Sequence, residues 1–396
     1  MTAAPDQTLV LRPRLQRADE ALRPTRAEID LEAIAHNYRV VSEVAGPAKV
    51  LAVVKADAYG HGVVPVARRL QQEGARGLCV ALAEEGLELR EAGIHTDIVV
   101  LNGAYGHAHG EVLAAGLTPV VYDIAQVEAF AAAAGGRAFG VHLKVDTGMA
   151  RLGVPLAELG RFLERFGAIP GARIDGLMTH LACADSDDGF TAEQLQRFTR
   201  AQHVVRAHGH RPKVLHAANS AATFRHPSSR YDLVRCGIAL FGFPNAPGVE
   251  AALRPAMRLR SEVVALRWLE PGAPVGYDGT FRAARRTLLA TIPVGYGDGL
   301  MRMGSNRGAA LLRGRRAPIV GNISMDLTTL DVTDVPGVAV GDEAVLFGSQ
   351  RGPDGELARI DATEVAEACG TIPYEVLCAI SRRVPRFYGP GPASRS

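Results

Sequence analysis

Between about Glu28 and Pro255, eight short runs rich in Val, Ile and Leu alternate with longer amphipathic segments. They lie near Val50–Val54, Leu78–Leu82, Asp97–Leu101, Thr118–Tyr122, Gly140–Val145, Ile174–Thr179, Val214–His216 and Leu233–Leu240. An apolar run of this length, bounded by helical patterns, reads as a strand of a parallel sheet covered on both faces. Eight such units in about 230 residues match a (β/α)8 barrel, whose sheet closes on itself and leaves no edge. An open doubly wound sheet is the alternative.

After Pro255 the pattern changes to strand-like segments such as Ser261–Leu269, Thr287–Val294, Ala309–Arg313 and Leu327–Val332, separated by Pro-Gly turns. One helix candidate, Asp361–Cys369, opens with acidic residues and ends at Gly370. The predicted organisation is a disordered extension over residues 1–24, a barrel over 25–257 and a mostly β domain over 258–396.

The 396 residues carry 44 basic and 42 acidic side chains, so a net charge of +2 gives no field that favours nucleic acid or an anionic membrane. No stretch approaches the roughly 18 apolar residues of a membrane span. The first 24 residues contain four arginines and lack the form of a secretory signal. Five scattered cysteines without a CxxC pair suit a reducing cytoplasm. His107 and His109 have no third ligand at suitable spacing, so no metal site is expected.

Only four basic residues are lysines: Lys49, Lys55, Lys144 and Lys213. In a barrel the carboxyl ends of the strands form the active face, with phosphate commonly held after strands seven and eight. Lys55 closes the first run. A lysine there either snorkels to the rim or, desolvated, serves as a Schiff-base nucleophile toward a carbonyl cofactor. The fifth run ends at Lys144 and leads to Arg151; the sixth ends near His180, the seventh at His216 and Asn219-Ser220, and the eighth carries Arg235 before Gly237-Ile238. The small residues at Ser220 and Gly237-Ile238 suit a phosphate cradle made of backbone N–H groups.

From about Ala27 to Arg386 the sequence resembles the alanine racemases. The resemblance is carried by AVVKADAYGHG at 52–62, KVDTGM at 144–149, ANSAA at 218–222, VRCGI at 234–238, SMD at 324–326 and PYEV at 373–376. It implies a pyridoxal 5'-phosphate (PLP) enzyme with a (β/α)8 barrel and a C-terminal β domain, interconverting L- and D-alanine and supplying D-alanine for peptidoglycan. Lys55 would bind the cofactor covalently and act as one base. Tyr277, from the second subunit of a homodimer, would act as the other. Two opposed bases let a proton leave one face of Cα and return on the other.

By the same resemblance Arg235 faces the pyridine nitrogen, oriented by His216; His180 and Arg235 are expected to help make Tyr277 basic enough. Tyr59, Ser220, Gly237, Ile238 and Tyr374 hold the phosphate, with Asn219 beside them. Arg151 approaches the cofactor hydroxyl and the substrate carboxylate, and Met325 of the partner subunit offers its N–H to that carboxylate, with Asp326 behind it. Lys144 is carbamylated in related enzymes and positions Arg151; an ordinary lysine paired with a neighbouring acid is the other reading. Asn322, where many relatives have arginine, and Asp278, where glycine is frequent, put substrate breadth in question. A racemase of serine, lysine or several amino acids, and a non-catalytic PLP homeostasis protein, are the competing readings. The second lacks a C-terminal domain in its known form.

Overall fold

The computed structural model describes residues 22–244, 246, 248–249 and 252–389, which divide into two compact units. The larger comprises Asp30–Ala256 and is a closed barrel. Its strands are Lys49–Val53, Gly77–Val80, Asp97–Val100, Thr118–Val121, Phe139–Asp146, Ala172–Met178, Val214–His216 and Leu233–Cys236. All pair in parallel, and the ring closes where Leu233–Cys236 runs beside Lys49–Val53. Gly77–Val80 and Leu233–Cys236 are buried at every position, as strands covered by helices on one face and by barrel filling on the other should be.

The helices follow from caps and periodicity. Asp30, Asp123 and Asp187 accept from the first-turn N–H groups of Leu31–Ala45, Ile124–Ala134 and Asp188–Ala207. Ile124–Ala134 stops at Gly135, whose φ of 59° terminates a helix without a Cβ penalty. Leu159–Gly167 buries Leu159, Phe162, Leu163 and Phe166, an i, i+3, i+4, i+7 stripe against the sheet.

The eighth run is shorter than its apolar pattern suggests. The strand ends at Cys236, Gly237 breaks it, and Ile238–Phe241 turns into a 3-10 helix. This break frees the Gly237 and Ala239 N–H groups from the ladder, and both reach the Ser220 hydroxyl.

The second unit joins Leu22–Ile29 to Met257–Tyr388. One sheet has the order Arg315–Pro318, Ala309–Leu312, Glu343–Arg351, Met257–Glu262, Arg26–Ile29, Arg386–Tyr388. A second contains Ala265–Leu269, Thr287–Ile292 and Thr328–Asp331, and the hairpin Pro274–Val275/Phe281–Arg282 carries Tyr277 at its turn. The candidate helix forms as Ala362–Cys369, with Asp361 accepting from the Thr363 and Glu364 N–H groups and Gly370 ending it at φ 69°.

The expected start of the barrel at residue 25 differs from the structure. Arg26–Ile29 pairs with Met257–Glu262 and Arg386–Tyr388, burying Ala27 and Ile29 and turning Arg26 and Glu28 outward. Glu28 accepts from both Arg258 and Arg260 at 2.8 Å, which fixes this short strand to a distant one. The expectation of disorder over 1–24 lies, for 1–21, outside the described residues. It does not hold at Arg23, which donates two hydrogen bonds, 2.7 and 3.1 Å, to the fully buried Asp298 carboxylate. Asp298 also accepts from the Gly295 N–H and faces Arg383 at 3.4 Å.

Arg23→Ala leaves this carboxylate with its weaker partners. The expected loss is about 2 kcal/mol, the range for hydrogen bonds to a charged group. Urea unfolding of the variant checks it.

Candidate active site

The first barrel strand runs into Val54 and then Lys55, where the backbone takes an unusual path. Ala56, Asp57, Ala58 and Tyr59 all have φ of 53° to 54°, a left-handed turn of four L-residues. Such a turn costs roughly 1–2 kcal/mol per residue. Polar groups around it offset that strain. The Glu85 carboxylate accepts from Ala56 N–H at 2.6 Å and from Ala81 N–H at 2.7 Å. Asp57 accepts from Val63 N–H at 2.7 Å, and His61 Nδ1–H lies 3.0 and 2.9 Å from the Ala58 and Tyr59 carbonyls. The turn swings Tyr59 against the end of the eighth strand, where a Cβ on Gly237 would sit 2.2 Å from the Tyr59 hydroxyl.

Tyr59, Ser220, Gly237 and Ile238 therefore converge on one corner of the barrel mouth. Asn219 contributes differently from the expectation. Its side chain caps Ser220–Arg225 by accepting from Ala222 N–H at 3.0 Å and donates to the Leu181 carbonyl at 3.4 Å, so it fixes the helix that presents Ser220. Cys236 is packed behind this corner with its thiol 3.3 Å from the Thr223 hydroxyl, and burial pushes that thiol up to about 12.

Arg235 is 4% exposed and, among the described residues, has no acidic side chain within hydrogen-bonding reach. Its guanidinium donates to the Thr179 and Ala217 carbonyls at 2.9 and 3.0 Å and to His216 Nδ1 and His180 Nδ1 at 3.1 and 3.2 Å. Arginine is donor-only, so both imidazoles accept at Nδ1 and carry their proton on Nε2. Burial, reinforced by nearby positive charge, holds both rings neutral. Burial likewise lowers the Arg235 guanidinium to about 10, which leaves it charged at neutral pH.

Lys144 sits in the same positive field. Burial and the charges of Arg235, Arg151 and Lys55 lower its amine to about 8, against a weaker opposing effect of Asp146. Asp146 is already occupied by the N–H groups of Gly148, Met149 and Ala150. Arg151 is exposed, with no hydrogen-bond partner among the described residues. The charges of Lys55, Lys144, Arg151 and Arg235 all act on His180, so the four side chains share one region of the mouth.

The sequence reading missed Glu85 and His142. His142 stands two residues before Lys144, on the same face of its strand, and its Nδ1 is 3.0 Å from His216 Nε2. A polar residue in phase with Lys144 was the available signal.

The other expected site residues belong to the β unit. Tyr277 and Met325 are 71% and 52% exposed. Asp278, next to Tyr277, has φ 62°, which explains why glycine suits that position. Here Asn322 donates to the Tyr277 carbonyl at 3.0 Å and the Asp278 carboxylate at 3.3 Å, so the two unusual residues act as a pair. Asp326 accepts from Arg383 at 2.6 Å, tethering the loop that carries Met325. Tyr374 lies in the first turn of Pro373–Ala379. Among the described residues no group of three His, Cys, Asp or Glu side chains is placed to hold a metal, and no helix is long and apolar enough to cross a membrane.

Residues 29–244 match the alanine racemase N-terminal domain and residues 256–388 the alanine racemase C-terminal domain. The chain belongs to the alanine racemase family. An alanine racemase of Sorangium cellulosum is 51% identical over 378 residues, covering 93% of this chain and 99% of that protein. Among solved structures, alanine racemase from Streptomyces coelicolor A3(2) superposes with a TM-score of 0.88 at 36% identity, covering 94% of this chain and 99% of that one. Alanine racemase from Bartonella henselae, solved with covalently bound pyridoxal phosphate, gives a TM-score of 0.85 at 32% identity over 92% of this chain and 99% of that one.

The lowered Lys144 amine has a consequence for stability. Because its folded value, about 8, lies below the unfolded 10.5, the unfolded chain binds more protons between them. The penalty is full below pH 8 and fades as pH rises to 10.5. In carbon dioxide-free buffer, Lys144→Met is expected to be more stable than wild type at pH 7 and to lose that advantage by pH 10.5, as denaturant titrations at both pH values will show.

Proposed function

We propose that the protein is a cytoplasmic, PLP-dependent alanine racemase that works as a homodimer and supplies D-alanine for peptidoglycan. The observation that carries this reading is the cluster of Lys55, Lys144, Arg151 and Arg235 around a corner built from Tyr59, Ser220 and Gly237-Ile238. An anionic cofactor with a phosphate and a ring nitrogen that accepts a hydrogen bond fits that donor set.

When bound, PLP supplies an electron sink that makes the substrate Cα proton acidic. Tyr59, Ser220, Gly237 and Ile238 would hold its phosphate; Lys55 would hold its carbonyl carbon. Arg235 would face the ring nitrogen as a donor. A guanidinium gives up its proton reluctantly, so the nitrogen would stay unprotonated and the sink modest. By withholding its proton from the ring, Arg235 would favour return of the substrate proton to Cα over its loss elsewhere.

Lys55 would move the proton on one face of Cα, and Tyr277 of the partner subunit on the other. Free tyrosine has a pKa of about 10, so a phenolate needs help. The neutral His180, its Nδ1 engaged by Arg235, offers an Nε2–H donor for that purpose. Arg151 and the Met325 N–H of the partner subunit would orient the substrate carboxylate. A neutral fraction of Lys144 at physiological pH is what carbamylation by dissolved carbon dioxide requires, and the resulting anion would hold Arg151 in place.

The direct test is chiral chromatography after incubating PLP-loaded protein with L-alanine. Accumulation of D-alanine toward an equal mixture is expected; bound PLP with no D-alanine formed contradicts the assignment. Gly237→Ala would drive a methyl group into the Tyr59 hydroxyl, and PLP affinity measured by absorbance titration is expected to fall by at least about tenfold, the effect of losing one good hydrogen bond to a charged phosphate. Tyr277→Phe removes the second base. Proton exchange from L-alanine is expected to fall by about 100-fold or more, the usual contribution of a general base, with PLP affinity unchanged.

A further inference from the structure

The side of the barrel opposite Lys55 holds a construction that the proposed chemistry does not use. A cavity of about 350 Å³ opens among the strand starts at Thr118 and Phe139 and is lined by His142 and Asp175. These starts are the amino-terminal ends of the strands, where barrels carry stability rather than catalysis. We propose that His142 is a positioning residue for Arg235, acting through His216, and that the Asp175 carboxylate completes the chain across this cavity. The proposal rests on the reading of Arg235 as the group that faces the cofactor ring.

The direction of the chain is forced by donor and acceptor identity. Arg235 donates to His216 Nδ1 at 3.1 Å, so His216 holds its proton on Nε2. That Nε2–H points at His142 Nδ1, 3.0 Å away, so His142 accepts there and keeps its own proton on Nε2. Burial keeps both rings neutral, His142 being lowered to about 4 although the Asp175 charge opposes this and Arg235 adds to it. A proton on His142 would set two donors face to face.

The backbone is shaped to admit this arrangement. The pairing of Phe139–Asp146 with Ala172–Met178 slips between Val141 and His142: Val141 sits opposite Ile174 and His142 opposite Gly176. Asp175 is the extra residue of that bulge, a device that re-aims side chains. Two glycines clear the space. A Cβ on Gly176 would lie 2.5 Å from His142 Cδ2, and a Cβ on Gly140 would lie 1.9 Å from Asp175 Oδ2. Asp175 itself is anchored by Arg173 at 3.2 Å and Lys213 at 3.1 Å.

Among the described residues Arg235 is buried with no carboxylate in hydrogen-bonding reach, and two hydrogen-bonded imidazoles lead from it toward the Asp175 carboxylate that Arg173 and Lys213 hold on the far rim. Each hydrogen bond in such a line polarises the next. Without the acceptor at His142, the His216 Nε2–H would be buried and unpaired, which favours the other tautomer and turns a donor toward Arg235.

The test compares three variants. His142→Leu removes the acceptor, His142→Asn keeps one near the Nδ1 position, and Asp175→Asn removes only the charge. Each apoprotein is titrated with PLP by absorbance, and the loaded forms are assayed for the ratio of alanine racemisation to transamination. His142→Leu is expected to weaken PLP binding about tenfold and to raise the transamination fraction; His142→Asn should stay within about threefold of wild type on both, and Asp175→Asn should fall between them. A folding defect alone would lower both reaction rates together and leave their ratio alone. A folded His142→Leu with wild-type PLP affinity and ratio overturns the proposal, as does His142→Asn failing as badly as leucine. Should His142→Leu not fold, an unchanged affinity and ratio in Asp175→Asn overturns it instead. A wild-type protein that binds PLP but racemises a different amino acid would overturn the alanine assignment alone, because the affinity comparison needs no turnover. One that binds no PLP overturns both.

Discussion

A buried guanidinium with no carboxylate beside it is the constraint around which the barrel interior is arranged. Removing a cation from water is costly unless hydrogen bonds replace its hydration. Arg235 meets that condition with two strand-end carbonyls, Thr179 and Ala217, and two imidazole nitrogens. The carbonyls are available because the sixth and seventh strands end there. The imidazoles accept because burial denies them a second proton. An acid in place of either histidine would have paired the charge at lower cost. It would also have quenched the positive field that lowers Lys144 and the potential that an anionic cofactor meets on entering.

The second constraint is conformational. Lys55 is followed at once by four left-handed residues, and that strain is offset by Glu85 and His61, which satisfy backbone groups of the turn, and by Asp57, which ties it to the start of the next helix at Val63. Its product is the placement of Tyr59 against Gly237, where no side chain larger than hydrogen fits without displacing it. The strain at 56–59 and the glycine at 237 are therefore two halves of one feature, brought together by the adjacency of the first and last barrel strands.

Much of this was legible in the chain. The eight apolar runs each became a strand, because a parallel strand buried on both faces writes a continuous apolar signal. Polar residues breaking those runs at Lys55, Lys144, His180, His216 and Arg235 marked the mouth for the same reason. What stayed hidden depends on partners far away in sequence. Arg26–Ile29 is too short to show alternation, and its place is set by Arg258 and Arg260. Arg23 looked like one of several arginines in an extension until Asp298 supplied its partner. Asn322 and Asp278 each departed from the family pattern, but only the fold shows that they meet. The left-handed turn is made of ordinary-looking residues, Ala-Asp-Ala-Tyr, and Glu85 holds it from the helix Ala83–Glu91, beyond the second barrel strand.

If a charged Arg235, held by neutral dipoles, faces the cofactor ring as proposed, ring-labelled PLP bound to the wild-type protein at neutral pH will give the ¹⁵N chemical shift of an unprotonated, hydrogen-bonded pyridine nitrogen. A shift characteristic of pyridinium would overturn that role for Arg235.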